Sequence, residues 1–269
     1  TKESINKLLS FGNILIPPAF GELASGLSGE GRLPEPLEIV EFLEKYYSKN
    51  LPLLDKKVLI SAGPTIEELD PVRFISNHSS GKMGYALAET ALSLGADVKL
   101  ISGPTSQSVS SKNIKLVKIK TGKELHDAII KDYSDSDIVI MAAAVSDYKP
   151  VKFSKKKIKK DNNEINIKFE KTRDVLFELG ETKKHQLLIG FALENNQEIL
   201  YAKNKLDKKN LDLIVLNSLN DKGAGFGYDT NKITIIDSLG NVFPYELKKK
   251  TEVAQDIFKH IIKLIWRIF

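Results

Sequence analysis

Cysteine is absent from this 269-residue chain, which excludes disulfide bonds and thiolate metal sites within it. Long apolar runs are missing too: no stretch of eighteen apolar residues occurs, so we expect no membrane-spanning helix. The start of the sequence lacks the basic and apolar regions typical of a signal peptide. These absences favour a cytoplasmic location. Apolar residues make up 42% of the chain, enough for one large core or two small ones.

Aromatic residues are scarce beside the basic segments of the chain. The net charge of +5 comes from 40 basic and 35 acidic residues, with much of the excess at 152–160, KFSKKKIKK, and 201–210, YAKNKLDKKN. This concentration favours an anionic ligand, either a nucleic acid or a small polyphosphate. Because single-strand binders stack bases on aromatic side chains, the composition favours the small polyphosphate. We therefore expect no nucleic-acid partner.

Two parts of the chain differ in composition. Residues 1–50 are rich in glycine and proline and end in an amphipathic helix predicted from about Pro36 to Tyr47. This part has too little apolar surface to fold alone and resembles the tail of a longer domain with a linker. Residues 51–269 carry a regular alternation of buried strands and amphipathic helices. We expect two domains, 1–50 and 51–269.

The alternation from residue 57 onward predicts the fold class. Apolar runs predict strands, and helical spacing predicts helices beginning at Lys82, Gly122, Val175 and Glu198; the strands are expected within 57–63, 96–104, 114–119, 137–145, 186–193 and 211–217. This order predicts an α/β fold with a Rossmann-like, mostly parallel sheet and helices on both faces. After Asn217, a hairpin around Gly240 predicts an added C-terminal antiparallel extension. The final helix, 251–269, is expected to pack on the sheet.

The segment ISNHSSGKMGYALAE, 75–89, is typical of an anion-binding helix start. It is not a P-loop, because the first and last required positions are Ser76 and Met83. It also lacks the Gly-x-Gly-x-x-Gly pattern of dinucleotide folds. The free amides of a first helical turn nevertheless suit an anion. We expect four residues to bind it, namely Ser79, Ser80, Gly81 and Lys82.

Other candidate residues follow the carboxyl ends of later strands, where open parallel sheets bind ligands. The segment AAAVSDYKP offers small residues for a flat ring or sugar, and its Asp147 could hold a ribose hydroxyl or a metal ion. Phe191 places an aromatic face after another strand. Because successive strand ends meet at one edge, a single crevice is expected to collect these side chains.

Several long motifs in one order resemble a known family. They are VLISAGPTIEELDPVRFISNHSSGKMGYALAE, MAAAVSDYKP, KIKK, IGFALE and AKNKLDKKNLDLIVLN. These motifs closely resemble the phosphopantothenate–cysteine ligase domain, the synthetase half of a bacterial bifunctional enzyme of coenzyme A biosynthesis. Residues 14–44 resemble the C-terminal end of the flavin-dependent decarboxylase domain that precedes this ligase. Residues 1–50 are thus interpreted as the remnant of that domain plus a linker, and 51–269 as the ligase domain.

The resemblance implies a specific reaction. The carboxylate of 4′-phosphopantothenate attacks the α-phosphate of CTP, forming an acyl-cytidylate and releasing pyrophosphate. The amino group of L-cysteine then displaces CMP and forms an amide. The resemblance also implies Mg²⁺ and a homodimer, with contacts expected from the strands after Asn217 and the hairpin at Gly240. Nucleotide choice stays open, because relatives elsewhere accept ATP; FMN would be expected only with a complete decarboxylase domain.

The resemblance assigns roles to individual residues. Asn77 matches an asparagine that acts on the acyl-cytidylate, and Lys157 matches a lysine needed to form it. We expect Lys157 to lie on a mobile flap that closes over the triphosphate. The expected nucleotide contacts, besides Lys157, are Met141, Ala142, Ala143, Asp147, Arg173, Asp174, Val175, Leu176, Phe191, Lys205 and Lys209. Metal ligands are not assigned.

Two positions depart from the family pattern. Arg173 stands where the family usually has proline. The decarboxylase motif Leu-Ala-Cys-Gly reads Leu23-Ala24-Ser25-Gly26, and a serine hydroxyl is a far weaker acid than a thiol. We therefore expect no decarboxylase activity from this chain. Two alternatives remain: a Rossmann-like NAD(P)-binding protein, which the lack of an acidic residue at Ser102-Gly103 disfavours, and a non-catalytic remnant.

Overall fold

A computed structural model of the protein describes residues 2–22, 26–49, 51–159, 165–221 and 223–268. The chain divides into two compact units, Thr1–Leu51 and Pro52–Phe269. Nowhere in these described ranges is a helix both long and apolar enough to cross a membrane.

The first unit consists of two helices and a small hairpin. Its elements are α1 (Lys2–Ser10), β1 (Ala19–Glu22), β2 (Ser28–Arg32) and α2 (Pro36–Ser48). Helix α2 confirms the predicted helix and begins with a capping box, in which the Glu35 amide donates to the Glu38 carboxylate at 2.9 Å. None of the side chains described in this unit is buried. Leu23, Ala24 and Ser25, on which the decarboxylase comparison depends, lie outside the described residues.

The second unit contains the remaining elements. They are β3 (Lys57–Ala62), β4 (Ile66–Glu68), β5 (Phe74–Ser76), α3 (Lys82–Ser93), β6 (Asp97–Ser102), β7 (Lys115–Lys118), α4 (Gly122–Tyr133), β8 (Ile138–Met141), β9 (Tyr148–Pro150), β10 (Phe169–Lys171), α5 (Val175–Glu181), β11 (Leu187–Glu194), α6 (Glu198–Lys208), β12 (Leu213–Ser218), β13 (Thr230–Asn231), β14 (Ile233–Asp237), β15 (Val242–Pro244), β16 (Lys248–Lys249) and α7 (Lys250–Ile268).

The main sheet has eight strands in the order β15-β14-β12-β11-β8-β3-β6-β7. The pairs from β12 through β7 are parallel, whereas β14 pairs antiparallel with both β12 and β15. This arrangement confirms the predicted α/β fold, the mostly parallel sheet and the antiparallel extension. The β14–β15 hairpin turns at Gly240, as predicted.

Helices cover both faces of this sheet because side chains alternate along its strands. Val58 and Ile60 of β3 pack into a core with α3 and α7, whereas Leu59 packs into a second core with α4, α5 and α6. Helix α7 contributes the buried Ile257 and Phe258 to the first core. The prediction that the last helix packs on the sheet is therefore confirmed.

The order of the strands creates a switch point between β3 and β8. The chain runs outward through β6 and β7, then crosses back so that β8 pairs with the other side of β3. The loops that follow β3 and β8 consequently diverge at their carboxyl ends. Ligands of open α/β sheets bind in this kind of crevice.

Three short antiparallel strand pairs were not predicted. Strand β4 pairs with β5, β9 with β10, and β13 with β16, in segments of two or three residues. Segments this short carry too few residues to display an alternating pattern. The pair β4–β5 follows β3 and the pair β9–β10 follows β8, whereas β13–β16 contacts α7.

Candidate active site

A cavity of about 720 Å³ lies at the carboxyl edge of the sheet. Its lining contains the predicted substrate residues Asn77, Ser79, Ser80, Gly81 and Lys82, and the predicted nucleotide residues Met141, Ala142, Ala143, Asp147, Arg173, Asp174, Val175, Leu176, Phe191, Lys205 and Lys209. Lys157 is exposed and does not line the cavity. The fold thus brings together all of the predicted site residues except this lysine.

The N-terminal residues of α3 line the cavity. Gly81 caps the helix with φ 77°, a left-handed conformation that favours glycine. A Cβ atom at Gly81 would lie 3.1 Å from the hydroxyl of Thr105, which itself donates to the Ser80 carbonyl at 2.7 Å. The first turn of α3 contains no acidic residue. Its partial positive charge is therefore available to an anion.

Close packing of α3 on β3 positions this helix start. Gly84 lines the cavity in the first turn, and a Cβ atom there would lie 2.4 Å from the Cβ atom of Ala62. Even an alanine at Gly84 would push the helix away from the strand. The glycines of this segment thus serve the approach of helix to sheet as well as the helix start.

Lys82 connects the start of α3 to the glycine-rich loop 223–229, which precedes β13. Its ammonium group donates to the Gly227 carbonyl at 3.0 Å and to the Asp229 carboxylate at 2.7 Å. The hydrogen bond from Lys82 lowers the pKa of Asp229. Lys82 is thus already paired, and an anion at the helix start would compete with Asp229 for it.

Asn77 lies between β5 and α3, with its side chain aimed at the loop after β8. Its amide nitrogen Nδ2 donates to the carbonyls of Ala144 and Val145 at 3.2 and 3.0 Å. The amide oxygen of Asn77 remains directed away from these carbonyls because the nitrogen occupies that side. Asn77 therefore holds the β8 loop and lines the cavity at the same time.

The loop after β8 is bonded to the loop after β3. The Ala143 amide donates to the Ser61 hydroxyl at 3.1 Å, the Ala144 amide to the Gly63 carbonyl at 2.9 Å, and the Ser146 amide to the Thr65 hydroxyl at 3.0 Å. These bonds hold the backbone of Ala142–Ala144, which lines the cavity with small side chains. Asp147 follows in the same loop and is exposed.

Lys205 lies in the last turn of α6, and Lys209 follows directly after its last residue. Lys205 donates to the Phe191 carbonyl at 2.7 Å, and Lys209 forms an ion pair with Asp174 at 2.8 Å. Burial and the charge of Lys209 lower the pKa of Lys205. Burial disfavours ionisation of Asp174, but the hydrogen bonds from Lys209 and the Phe177 amide, together with the charges of Lys209 and Lys205, outweigh burial and lower the pKa of Asp174. Two neighbouring cations of this kind suit a polyphosphate.

Arg173, the residue that replaces the family's proline, lies on a small charged cluster at the rim of the cavity. One guanidinium nitrogen is 3.5 Å from Nε2 of His126, which contacts the Glu178 carboxylate at 3.0 Å. His126 is largely buried, and its Nδ1 contacts Asp127 at 3.0 Å. Arg173 thus adds a cation to the cavity lining rather than a rigid turn.

The cavity lining also includes polar residues that were not predicted, among them Asn217, Asn231 and Lys250. Asn217 is the penultimate residue of β12, Asn231 lies on β13, and Lys250 begins α7. The Asn217 side-chain oxygen is buried and has no hydrogen-bond partner among the described residues. Asn217 could have been predicted from the sequence, because it lies near the carboxyl end of a predicted strand. Asn231 and Lys250 had no such signal, because they are brought in by the short β13–β16 pair.

Lys250 is only 7% exposed and holds the glycine-rich loop from the inside. It donates to the carbonyls of Gly225 and Tyr228 at 3.0 and 2.6 Å. Burial, together with the charge of Lys82, lowers the pKa of Lys250 to about 8. Two lysines on different elements therefore hold this loop beside the helix start.

A dedicated protein cage for a metal ion is not formed by the described residues. They contain no group of three or more histidine, aspartate or glutamate side chains that could hold an ion. Mg²⁺ is commonly bound by one or two carboxylates together with substrate phosphates. The exposed carboxylate of Asp147 fits that role, whereas Asp174 is already paired with Lys209.

Comparison with known proteins identifies the family of this fold. Residues 53–265 match the family model described as the DNA/pantothenate metabolism flavoprotein C-terminal domain. The chain belongs to this family. The match covers nearly all of the second unit and includes every described element that lines the cavity.

Individual relatives agree with this assignment. The chain is 43% identical to the coenzyme A biosynthesis bifunctional protein CoaBC of Bacillus subtilis (strain 168), covering 98% of this chain and 65% of that protein. It is 49% identical to a cysteine/cysteine sulfinic acid decarboxylase of an unknown prokaryotic organism, covering 98% of this chain and 75% of that protein. A crystal structure of the C-terminal domain of CoaBC matches with 40% identity and a TM-score of 0.70, covering 81% of this chain and 99% of that domain.

These findings confirm the family resemblance inferred from the motifs. The chain spans about two thirds of the length of the CoaBC relative, and the matched crystal structure corresponds to its C-terminal domain. The roles of individual residues in the cavity remain predictions.

Proposed function

We propose that the second unit is a phosphopantothenate–cysteine ligase of coenzyme A biosynthesis that uses CTP. A carboxylate oxygen of 4′-phosphopantothenate forms a bond to the α-phosphorus of CTP, and the bond to the leaving pyrophosphate breaks. The amino nitrogen of L-cysteine then bonds to the acyl carbon. CMP leaves with the electron pair of the acyl–oxygen bond, and the amine loses one proton.

The observation that carries this proposal is the convergence of two anion-binding regions in one cavity. Lys205 and Lys209 lie at one region, and the first turn of α3 with Lys82 lies at the other. A reaction that joins a triphosphate to a phosphorylated acid requires both. The negative charge that develops on the α-phosphate is stabilised most by cations and dipoles fixed in advance.

The nucleotide region is proposed to lie against the β8 loop. The backbone at Ala143 and Ala144 is held by hydrogen bonds to Ser61 and Gly63 and carries only small side chains, which suits a pyrimidine ring and its ribose. Asp147 would accept from a ribose hydroxyl or hold Mg²⁺ carried by the phosphates; when bound, the ion supplies positive charge to the triphosphate. Lys209 would exchange part of its contact with Asp174 for a phosphate oxygen.

The acyl region is proposed to lie between Asn77 and the start of α3. Asn77 is held by two carbonyls of the β8 loop and so has a fixed orientation beside the cavity. Its free amide oxygen is suited to orienting the acyl-cytidylate for attack. The helix start is suited to a phosphate group of the acid substrate.

The test is a pyrophosphate-release assay with the whole chain. Incubation with CTP and 4′-phosphopantothenate is expected to release pyrophosphate, and addition of L-cysteine is expected to yield the amide and CMP. Parallel reactions with ATP test nucleotide choice, and omission of the acid substrate provides the background. Absence of pyrophosphate release with any nucleotide would refute the proposal.

Two other functions are tested by the same preparation. Incubation with cysteine alone, with carbon dioxide as the readout, tests the activity named for the decarboxylase relative. Titration with NAD(P) tests the alternative of a dinucleotide-binding protein. That alternative has little support, since β6 ends at Ser102-Gly103 without an acidic residue to hold the adenine ribose.

A further inference from the structure

A short lysine-bearing turn is fastened at both ends to a distant part of the chain. The turn, 154–158, lies between β9 and β10 and carries Lys157. At one end, the Ser154 amide donates to the Leu69 carbonyl at 3.0 Å. At the other end, the Ile158 amide donates to the Asp70 carboxylate at 3.1 Å. Inside the turn, the Ser154 hydroxyl donates to the Lys156 carbonyl at 2.6 Å.

Asp70 and Arg73 together bind both backbone groups of Ile158. Arg73 donates through Nη2 to the Ile158 carbonyl at 2.7 Å and to the Asp70 carboxylate at 2.5 Å. Its Nε donates to the same carboxylate at 3.0 Å. Because Ile158 directly follows Lys157, this pair fixes the backbone on one side of that lysine.

Asp70 itself is held rigidly. Its side chain is fully buried, and its other carboxylate oxygen accepts the amides of Val72 and Arg73, each at 2.8 Å. Burial opposes ionisation, but the hydrogen bonds from Arg73 and from the amides of Val72 and Ile158 outweigh it and hold the pKa of Asp70 well below its usual range. A buried carboxylate with this many donors has little freedom to move.

We infer that Asp70 is a positioning residue for Lys157, holding through Ile158 the turn that presents this lysine to the nucleotide. The inference rests on the proposed function, in which Lys157 serves the first half-reaction. Both ends of the turn that carries Lys157 are held, Ser154 by the Leu69 carbonyl and Ile158 by the Asp70 carboxylate.

The competing possibility is that Asp70 acts through Asn77. Arg73 precedes β5, and Asn77 directly follows it, so loss of the Asp70–Arg73 pair could shift that residue instead. The two possibilities differ in the half-reaction that they affect. Lys157 is assigned to formation of the acyl-cytidylate, and Asn77 to its conversion to amide.

The experiment compares Asp70→Asn, Lys157→Gln and the double variant in both half-reactions. Asp70→Asn is expected to slow pyrophosphate release by about 100-fold, since a displacement of an ångström at a catalytic group costs on that order. In the Lys157→Gln background, the same change is expected to have less than about a twofold effect, because interacting residues are not additive. Conversion of supplied acyl-cytidylate to amide is expected to stay near the parent rate.

A matched control and a second variant separate positioning from loss of folding. Asp237→Asn changes a buried aspartate that caps another turn, accepting the amides of Leu239 and Asn241 at 3.0 and 2.9 Å, and is expected to leave both half-reactions unchanged. Ile158→Pro removes the amide that donates to Asp70 while keeping the Asp70–Arg73 pair. It is expected to reproduce the Asp70→Asn effect.

Limited trypsin digestion provides a readout that does not need activity. Cleavage after Lys155 and Lys156 is expected to accelerate in Asp70→Asn and Ile158→Pro but not in Asp237→Asn; the bond after Lys157 is left out of the comparison, because trypsin does not cleave before proline. Unchanged cleavage, additive effects in the double variant, or loss confined to the second half-reaction would each overturn the inference. If the parent protein releases no pyrophosphate, the proposed function fails, and digestion still decides whether Asp70 holds the turn.

Discussion

Replacing Asn77 with aspartate separates the two halves of the proposed reaction. The Asn77 nitrogen donates to two carbonyls of the β8 loop at 3.2 and 3.0 Å, and an aspartate oxygen cannot donate to either. Each lost hydrogen bond costs about 1 kcal/mol, so the unfolding free energy is expected to fall by about 2 kcal/mol. This effect is small enough for the protein to remain folded.

The new charge is expected to act on the intermediate. A carboxylate about 4 Å from the phosphate of the acyl-cytidylate costs about 4 kcal/mol at an effective dielectric constant of about 20. That energy corresponds to about a thousandfold loss in the rate of amide formation. Lys205 and Lys209 are untouched, so pyrophosphate release is expected to continue and acyl-cytidylate to accumulate.

The assay follows pyrophosphate and amide separately, with excess cysteine. Asn77→Ala removes the same two hydrogen bonds without adding charge, and is expected to slow amide formation less than Asn77→Asp. Asn113→Asp makes the same charge change at an exposed position outside the cavity and is expected to have no effect. Failure of Asn77→Asp to turn over CTP would assign the residue to nucleotide binding, and normal amide formation would reduce it to a turn residue.

Three further predictions concern other parts of the structure. Lys209→Gln is expected to raise KM for CTP by at least about tenfold, because it removes a cation and leaves Asp174 unpaired beside the triphosphate. The exposed Lys208→Gln is the control. An equal rise in KM in that control would contradict a role of Lys209 in binding the triphosphate. Burial lowers the pKa of Lys250 in the folded protein to about 8, whereas the unfolded chain binds this proton more tightly. The unfolding free energy is therefore expected to rise between pH 8 and 10.5 by on the order of 1–3 kcal/mol. Urea titrations at the two pH values check this, and an equal rise in Lys250→Met would refute it. Sedimentation of the whole chain at micromolar concentration is expected to reveal a dimer. Val242→Lys, on the edge strand β15, is expected to weaken that dimer. A monomeric parent protein would contradict the expected dimer contact.

The main sheet and its helices could be predicted because the apolar pattern that identifies each strand or helix lies within that segment of the sequence. Each strand of the core carries several consecutive apolar residues, and each helix repeats apolar residues at its own period. Helices α4, α5 and α6 begin at Gly122, Val175 and Glu198, the residues predicted. Burial on both faces leaves these segments no other stable arrangement, so composition and period suffice.

The lining of the cavity could largely be predicted for a related reason. Parallel strands bring the residues near their carboxyl ends to one edge, so Asp147 and Phe191 line the same cavity although they are 44 positions apart in the chain. The rule fails for residues that reach the edge by another route. Lys250 directly follows β16, which pairs with β13. These strands have two residues each, too few to show a periodic pattern in the sequence.

The sequence by itself determined the parallel core, the family and the edge of the sheet where the cavity lies, because these depend on apolar periodicity and on motifs contained in single segments. Only the tertiary structure decided which charges face one another. It paired Lys209 with Asp174, brought Lys82 and Lys250 to one loop, and joined Asp70 to Ile158 across 88 positions. Such contacts depend on the distances between segments that are far apart in the chain, and the charge of a side chain does not indicate which oppositely charged residue will lie near it.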